Sequence, residues 1–160
     1  MEQTRTKDRV VKYGEVFTAE KEVNAMCDLV REETERVDSR FLEPACGDGN
    51  FLVEILRRKL EHISTSEFRY KCLSFRVLDS IYGIDILQDN VDAARRRMFN
   101  LWAEKCRIVC GKVPTRRMKD QARSILEKNI VCGNFLTGML VDENQQDTEM
   151  PISFLRRDNE

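Results

Sequence analysis

Along the chain, apolar positions switch between short continuous runs and helical spacing, and that change of period predicts most of the elements. Arg40-Phe41-Leu42 is short and apolar enough for a buried strand, and Phe51, Leu52, Ile55, Leu56 and Leu60 then recur at helical spacing. A strand, a tight turn and a helix are expected there. An earlier helix is predicted from Val23, Met26, Cys27 and Val30 on one face, with Thr18 a candidate N-cap and Glu20 and Glu22 near its positive end. Residues 64–80 read as a further helix, with Phe68, Cys72, Phe75 and Leu78 on its apolar side, inserted before a second strand at 81–86. Val91, Ala94, Met98, Leu101 and Trp102 predict an amphipathic helix over 88–104, and Met118, Ala122, Ile125 and Leu126 predict another over 115–128. A third buried strand and its exit loop follow at 129–136.

Strands that alternate with helical patterns imply an α/β fold, expected here as a three-layer Rossmann-like domain with a mainly parallel sheet and helices on both faces. Residues 1–12 are polar and basic and are expected as a mobile arm, 13–140 as the domain, and 141–160 as a polar tail in which only 151–155 resembles a strand. On this reading the sheet is incomplete at its C-terminal end. The edge after the third strand would then lie open to a partner or to a second copy.

Composition narrows the function classes. The chain has 160 residues, 41% apolar and 34% charged, which suits one soluble domain with a real core. A formal net charge of -1 gives no overall attraction to nucleic acid, so any DNA contact must be local or supplied by other domains. The Arg95-Arg96-Arg97 run is a candidate phosphate contact, although such runs on helices are commonly solvated faces. Six cysteines without a CxxC pair and a single histidine leave no metal-ligand spacing, and no metal is expected. No apolar run has the length of a membrane span and the N-terminus has no apolar signal core, so a cytoplasmic setting with free thiols is expected.

The candidate chemistry lies in Glu43-Pro44-Ala45-Cys46-Gly47-Asp48-Gly49-Asn50-Phe51, between the first strand and its helix. Gly47 and Gly49 let the backbone turn sharply and let a ligand approach the N–H groups at the helix start. A dinucleotide fingerprint needs a third glycine where Leu52 stands, and Glu43 at the strand end would repel a pyrophosphate and attract an ammonium group. The residues therefore favour a cationic ligand.

The same stretch resembles the first cofactor motif of S-adenosylmethionine-dependent DNA methyltransferases that act on amino groups, especially the adenine enzymes of restriction–modification systems. That resemblance implies a class I methyltransferase fold and S-adenosyl-L-methionine as cofactor. It places Glu43, Ala45 and Gly47 in the cofactor site, and it has Phe17 and Thr18 closing over the methionine part, where Ala19 replaces the family's proline. A hydrophobic staple and helix cap explain Phe17 and Thr18 nearly as well.

Tyr82-Gly83-Ile84-Asp85 supplies an acidic residue at the tip of the second strand, where a carboxylate accepts ribose hydroxyls in doubly wound sheets. The competing reading makes Asp85 an N-cap of the next helix. Gly133-Asn134-Phe135 is similar to the family's Gly-Asp-aromatic segment, which implies that Asn134 accepts the adenine amino group and Phe135 packs on the ring. Asn134 departs from the family's carboxylate, and an amide oxygen makes the weaker bond. The later motif of these enzymes, Asn, Asp or Ser followed by Pro-Pro and Tyr or Phe, is not found in the chain. No catalytic residue is therefore assigned. The expectations are the cofactor-binding portion of a DNA methyltransferase, half of a split enzyme, or a non-enzymatic cofactor-sensing or partner-docking protein.

Overall fold

The computed structural model describes residues 18–63 and 66–156. The expected basic arm and Phe17 lie outside the described residues. In order, the chain forms α1 (Glu20–Leu29), α2 (Arg31–Glu35), β1 (Phe41–Glu43), α3 (Asn50–Glu61), α4 (Glu67–Asp79) and β2 (Ile81–Asp85). It continues with α5 (Gln88–Cys110), α6 (Arg116–Asn129), β3 (Ile130–Asn134), β4 (Met139–Val141), β5 (Asp147–Pro151) and a 3-10 turn at Ser153–Leu155. The fold is α/β and compatible with a Rossmann-like architecture. Its single five-stranded sheet has the order β1-β2-β3-β4-β5, parallel from β1 to β3 and antiparallel from β3 to β5.

Strand register assigns every side chain to a face. Phe41 pairs with Ile81, Glu43 with Gly83, Gly83 with Ile130, and Asp85 with Cys132, so these residues and Asn134 share one face. That face carries the main core, where Ile81 and Ile130 join Leu52, Leu56, Val91, Met98 and Trp102, all fully or nearly fully buried. Leu52 of α3 packs so closely over Gly83 that a Cβ there would lie 2.7 Å from Leu52 Cδ1 and 3.2 Å from Cys46 Sγ. Leu52 is fully buried in the core and must shift to admit a methyl group, so Gly83→Ala is expected to cost about 1–3 kcal/mol, read as a lower denaturant midpoint at unchanged slope.

The expectation of helices on both faces is corrected by this packing. The helices of the described residues pack against one another in one layer. Both crossovers step across the sheet in the same direction, and right-handed crossovers of that kind leave their helices on one side. On the opposite face, Ile84 and Ile152 are buried outside the main core, and Phe154 stacks its ring 4.9 Å from that of Tyr82. Leu42 on that face remains 42% exposed.

The C-terminal segment also differs from expectation. The edge beyond β3 is occupied: Gly133 pairs with Leu140 and Asn134 with Met139, so β4 covers the edge expected to be open. Residues 139–151 form a hairpin, closed where Asp142 N–H donates to the Gln146 carbonyl and the Asp142 carboxylate accepts the N–H groups of Asn144 and Gln146. Residues 153–155, expected in a strand, make a 3-10 turn instead. With the order running from β1 to β5, the outer edge of β1 is the unpaired one among the described parallel strands.

Candidate functional site

Glu43, Asp85 and Asn134 end β1, β2 and β3, and by register all three lie on the helix-covered face. The turn after β1 is held against β2, since Cys46 N–H donates to the Ile84 carbonyl at 2.9 Å. It then bends through two glycines of positive φ, +53° at Gly47 and +94° at Gly49. Gly49 is the N-cap residue of α3 and has no side chain to offer the helix. A Cβ on Gly49 would meet Ala94 Cβ of α5 at 2.9 Å, so α5 forms the floor of the loop.

The turn and the second strand tip touch. Gly47 N–H donates to Asp85 Oδ2 at 2.8 Å, while Asp85 Oδ1 accepts Leu87 N–H at 2.9 Å and the Asn90 amide at 3.1 Å. Asp85 thus serves the start of α5 as well as the glycine loop. Arg97 of α5 grips the next loop residue, with Nη1 2.9 Å from the Asp48 carbonyl and 3.1 Å from Asp48 Oδ2. Asp48 Oδ1 is buried without a hydrogen-bond partner. Among the described residues Glu43 accepts only a long contact from Ala45 N–H, at 3.4 Å, and burial raises its carboxyl pKa against the weaker opposing effect of that bond. Cys46 is buried beside these acids; desolvation first, then the charges of Asp85 and Glu43, push its thiol well above the ordinary range, so it is no nucleophile.

Thr18 lies beside this loop, because Asn50 at the start of α3 donates its amide to the Thr18 carbonyl at 3.2 Å. It is not the helix cap expected from sequence: Ala19 holds that position and no side chain caps α1. Arg58 of α3 ties that helix to α1 by reaching Asp28 at 2.8 Å, and Glu54 of its own helix braces it at 2.6 Å. At the far end of the row, Asn134 Oδ1 accepts Leu136 N–H at 3.0 Å, an Asx turn that leads β3 toward β4. Phe135 next to it is 43% exposed.

Sequence reasoning missed Asp48, Asn50, Asn90 and Arg97. A signal for Arg97 existed, since it follows Ala94 by three positions and so shares the helix face that supports Gly49. Of the arginine run, Arg95 bonds the carbonyls of Ile130 and Glu127, and Arg97 bonds the loop, which leaves Arg96 exposed. An open groove of about 420 Å³ lined by Arg96, Phe99 and Arg123 lies between α5 and α6, on residues other than those of the candidate row. No metal-holding group of His, Cys, Asp or Glu occurs among the described residues.

Comparison with known proteins gives one significant relative among curated sequences. A Methanocaldococcus jannaschii protein named "Putative type II restriction enzyme and methyltransferase" is 29% identical over 123 residues, covering 72% of this chain and 10% of the relative. This chain is related to a restriction–modification methyltransferase. It spans about a tenth of that relative's length. No family model matches the chain, and no solved structure matches it. No helix of the described residues is long and apolar enough to cross a membrane.

Proposed function

We propose that this chain is the S-adenosylmethionine-binding portion of an amino-group DNA methyltransferase of restriction–modification type, with adenine in DNA as the methyl acceptor. The observation that carries the reading is the bond from Gly47 N–H to Asp85, which makes one site of the glycine turn and the strand tip. The residues suit the cofactor's chemistry. Glu43, desolvated and with one long hydrogen bond among the described residues, favours a cationic group in place of a phosphate. In the full reaction the cofactor supplies an activated methyl group on a sulfonium, and the enzyme's task is to position it toward the acceptor.

Within this reading Glu43 and the loop at Ala45 and Gly47 receive the methionine end, Asp85 the ribose, and Asn134 with Phe135 the adenine. Thr18 stands beside the loop as support. Asn134 has a second lone pair on its amide oxygen to offer after the Leu136 bond. No residue of the chain is assigned to hold the target base, so methyl transfer requires further polypeptide. Such a segment, from the same protein or a split-enzyme partner, could pair with the outer edge of β1, which no strand of the described residues covers.

Calorimetric titration tests the proposal: S-adenosylmethionine is expected to bind and NAD to fail. Asp85→Ala should weaken cofactor binding about ten-fold to a hundred-fold, the worth of a hydrogen bond to a charged group. Binding of NAD in preference, or no binding of S-adenosylmethionine, rejects the reading. A second reading is a cofactor-sensing or docking protein without catalysis. It predicts binding with no transfer of labelled methyl to unmethylated DNA even when candidate partner chains are added.

A further inference from the structure

A carboxylate offers about four acceptor positions, and three of those on Asp85 are filled by the chain itself. Two of the three donors, Leu87 N–H and the Asn90 amide, belong to the start of α5, and both bond Oδ1. The third, Gly47 N–H, bonds Oδ2 and belongs to the loop over which a ligand would settle. One added hydroxyl fits the remaining position. Two hydroxyls do not, unless a present donor leaves.

The loop has a second anchor that shares nothing with Asp85: Arg97 holds both the carbonyl and the carboxylate of Asp48. Cys46 N–H and Gly49 N–H bond the Ile84 and Cys46 carbonyls, so the residues on either side of Gly47 stay fixed when its own bond breaks. Gly47, at φ +53° and without a side chain, is the point where the peptide can turn most easily.

Building on the function proposed above, we infer that Asp85 is a latch: it holds Gly47 N–H in the free protein and exchanges that bond for the second hydroxyl of a vicinal diol, while Arg97 keeps the rest of the loop in place. The α5 bonds to Oδ1 persist through the exchange. A ligand with a ribose opens the latch, and a ligand with a single ring hydroxyl binds with the latch closed.

Amide NMR on the whole chain reads this directly, with Leu87 as internal control. In the free protein the Gly47 amide proton is expected downfield, as for an N–H bonded to a carboxylate, and it should move upfield in Asp85→Asn. Saturation with S-adenosylhomocysteine should move the wild-type Gly47 signal in the same upfield direction and leave Leu87 in place. The 2′-deoxy form of the same compound should leave both in place. If S-adenosylhomocysteine binds and Gly47 does not move, or if the deoxy compound moves it equally, the latch is wrong and the cofactor site stands. Failure of both compounds to bind overturns the latch together with the function on which it rests. Should Asp85→Asn not fold, the wild-type ligand arms decide alone.

Discussion

Gly49→Ala is expected to destabilise the chain by about 2–5 kcal/mol, from two additive causes. The first is conformational. Gly49 sits at φ +94°, where an L side chain meets its own backbone. The second is steric, because the new methyl would lie 2.9 Å from Ala94 Cβ and 3.1 Å from Ala94 Cα, and a helix backbone in the core cannot move aside cheaply. Urea unfolding of the single variant and of the pair Gly49→Ala with Ala94→Gly separates them. Removing the Ala94 methyl should recover part of the steric loss and none of the conformational loss, against about 1 kcal/mol for glycine within a helix. A variant as stable as wild type would mean that α5 is not the floor of the loop. The same substitution should abolish ligand binding, since α3 could no longer start where it does.

This dependence explains which parts of the fold were legible in the sequence. Where burial is one-sided the apolar period is clean: Leu52, Ile55 and Leu56 predict α3, and Val91, Ala94, Met98 and Trp102 predict α5, though α5 runs on to Cys110. The strands β1 to β3 were equally readable, as were the glycine turn and the acidic tip. The hairpin was not, because β5 reads Asp-Thr-Glu-Met-Pro with only Thr148 and Pro151 half-buried, and no apolar alternation marks it. Its stability comes from turn bonds centred on Asp142 and from Ile152 packing on Gly133. Sidedness of the helices was hidden for another reason. It depends on the order of strands, and the sequence does not state which edge of β1 is free.

The site was legible as letters and illegible as a network. Glu43, Asp85 and Asn134 could be placed at strand ends from periodicity, and register puts them on one face. Asp85 does not occupy the N-cap position of α5, which Leu87 holds; its carboxylate accepts Leu87 N–H at the start of that helix and Gly47 N–H of the loop, a double tie that no sequence pattern announces. Arg97 and Lys59 sit in basic runs, and runs of charge look alike in sequence whether they are solvated or spent inside the fold.

Lys59 gives the second large effect, as a dependence of stability on pH. Its side chain is wholly buried at the end of β1 and β2 remote from the candidate site, where Nζ donates to the carbonyls of Val37 and Ser39 and to the Ser80 hydroxyl at 3.1 Å, 5.2 Å from the centre of the Phe41 ring. No carboxylate among the described residues bonds it, so desolvation dominates and lowers its pKa from 10.5 to about 8. Between these values the unfolded chain holds a proton that the folded chain releases, and stability therefore rises with pH across that window. The rise should approach about 3 kcal/mol by pH 10.5 and be absent below pH 7. Two thiols oppose it, because desolvation of the buried Cys106 and the half-buried Cys132 pushes both up to about 11, and they favour unfolding as pH rises past 9. Comparison with Lys59→Met cancels that common background. The variant loses the three hydrogen bonds at every pH and keeps the thiols, so the difference in unfolding free energy, wild type minus variant, should climb between pH 8 and 10.5. A flat difference over that range would show that Lys59 keeps its charge well solvated in the folded chain.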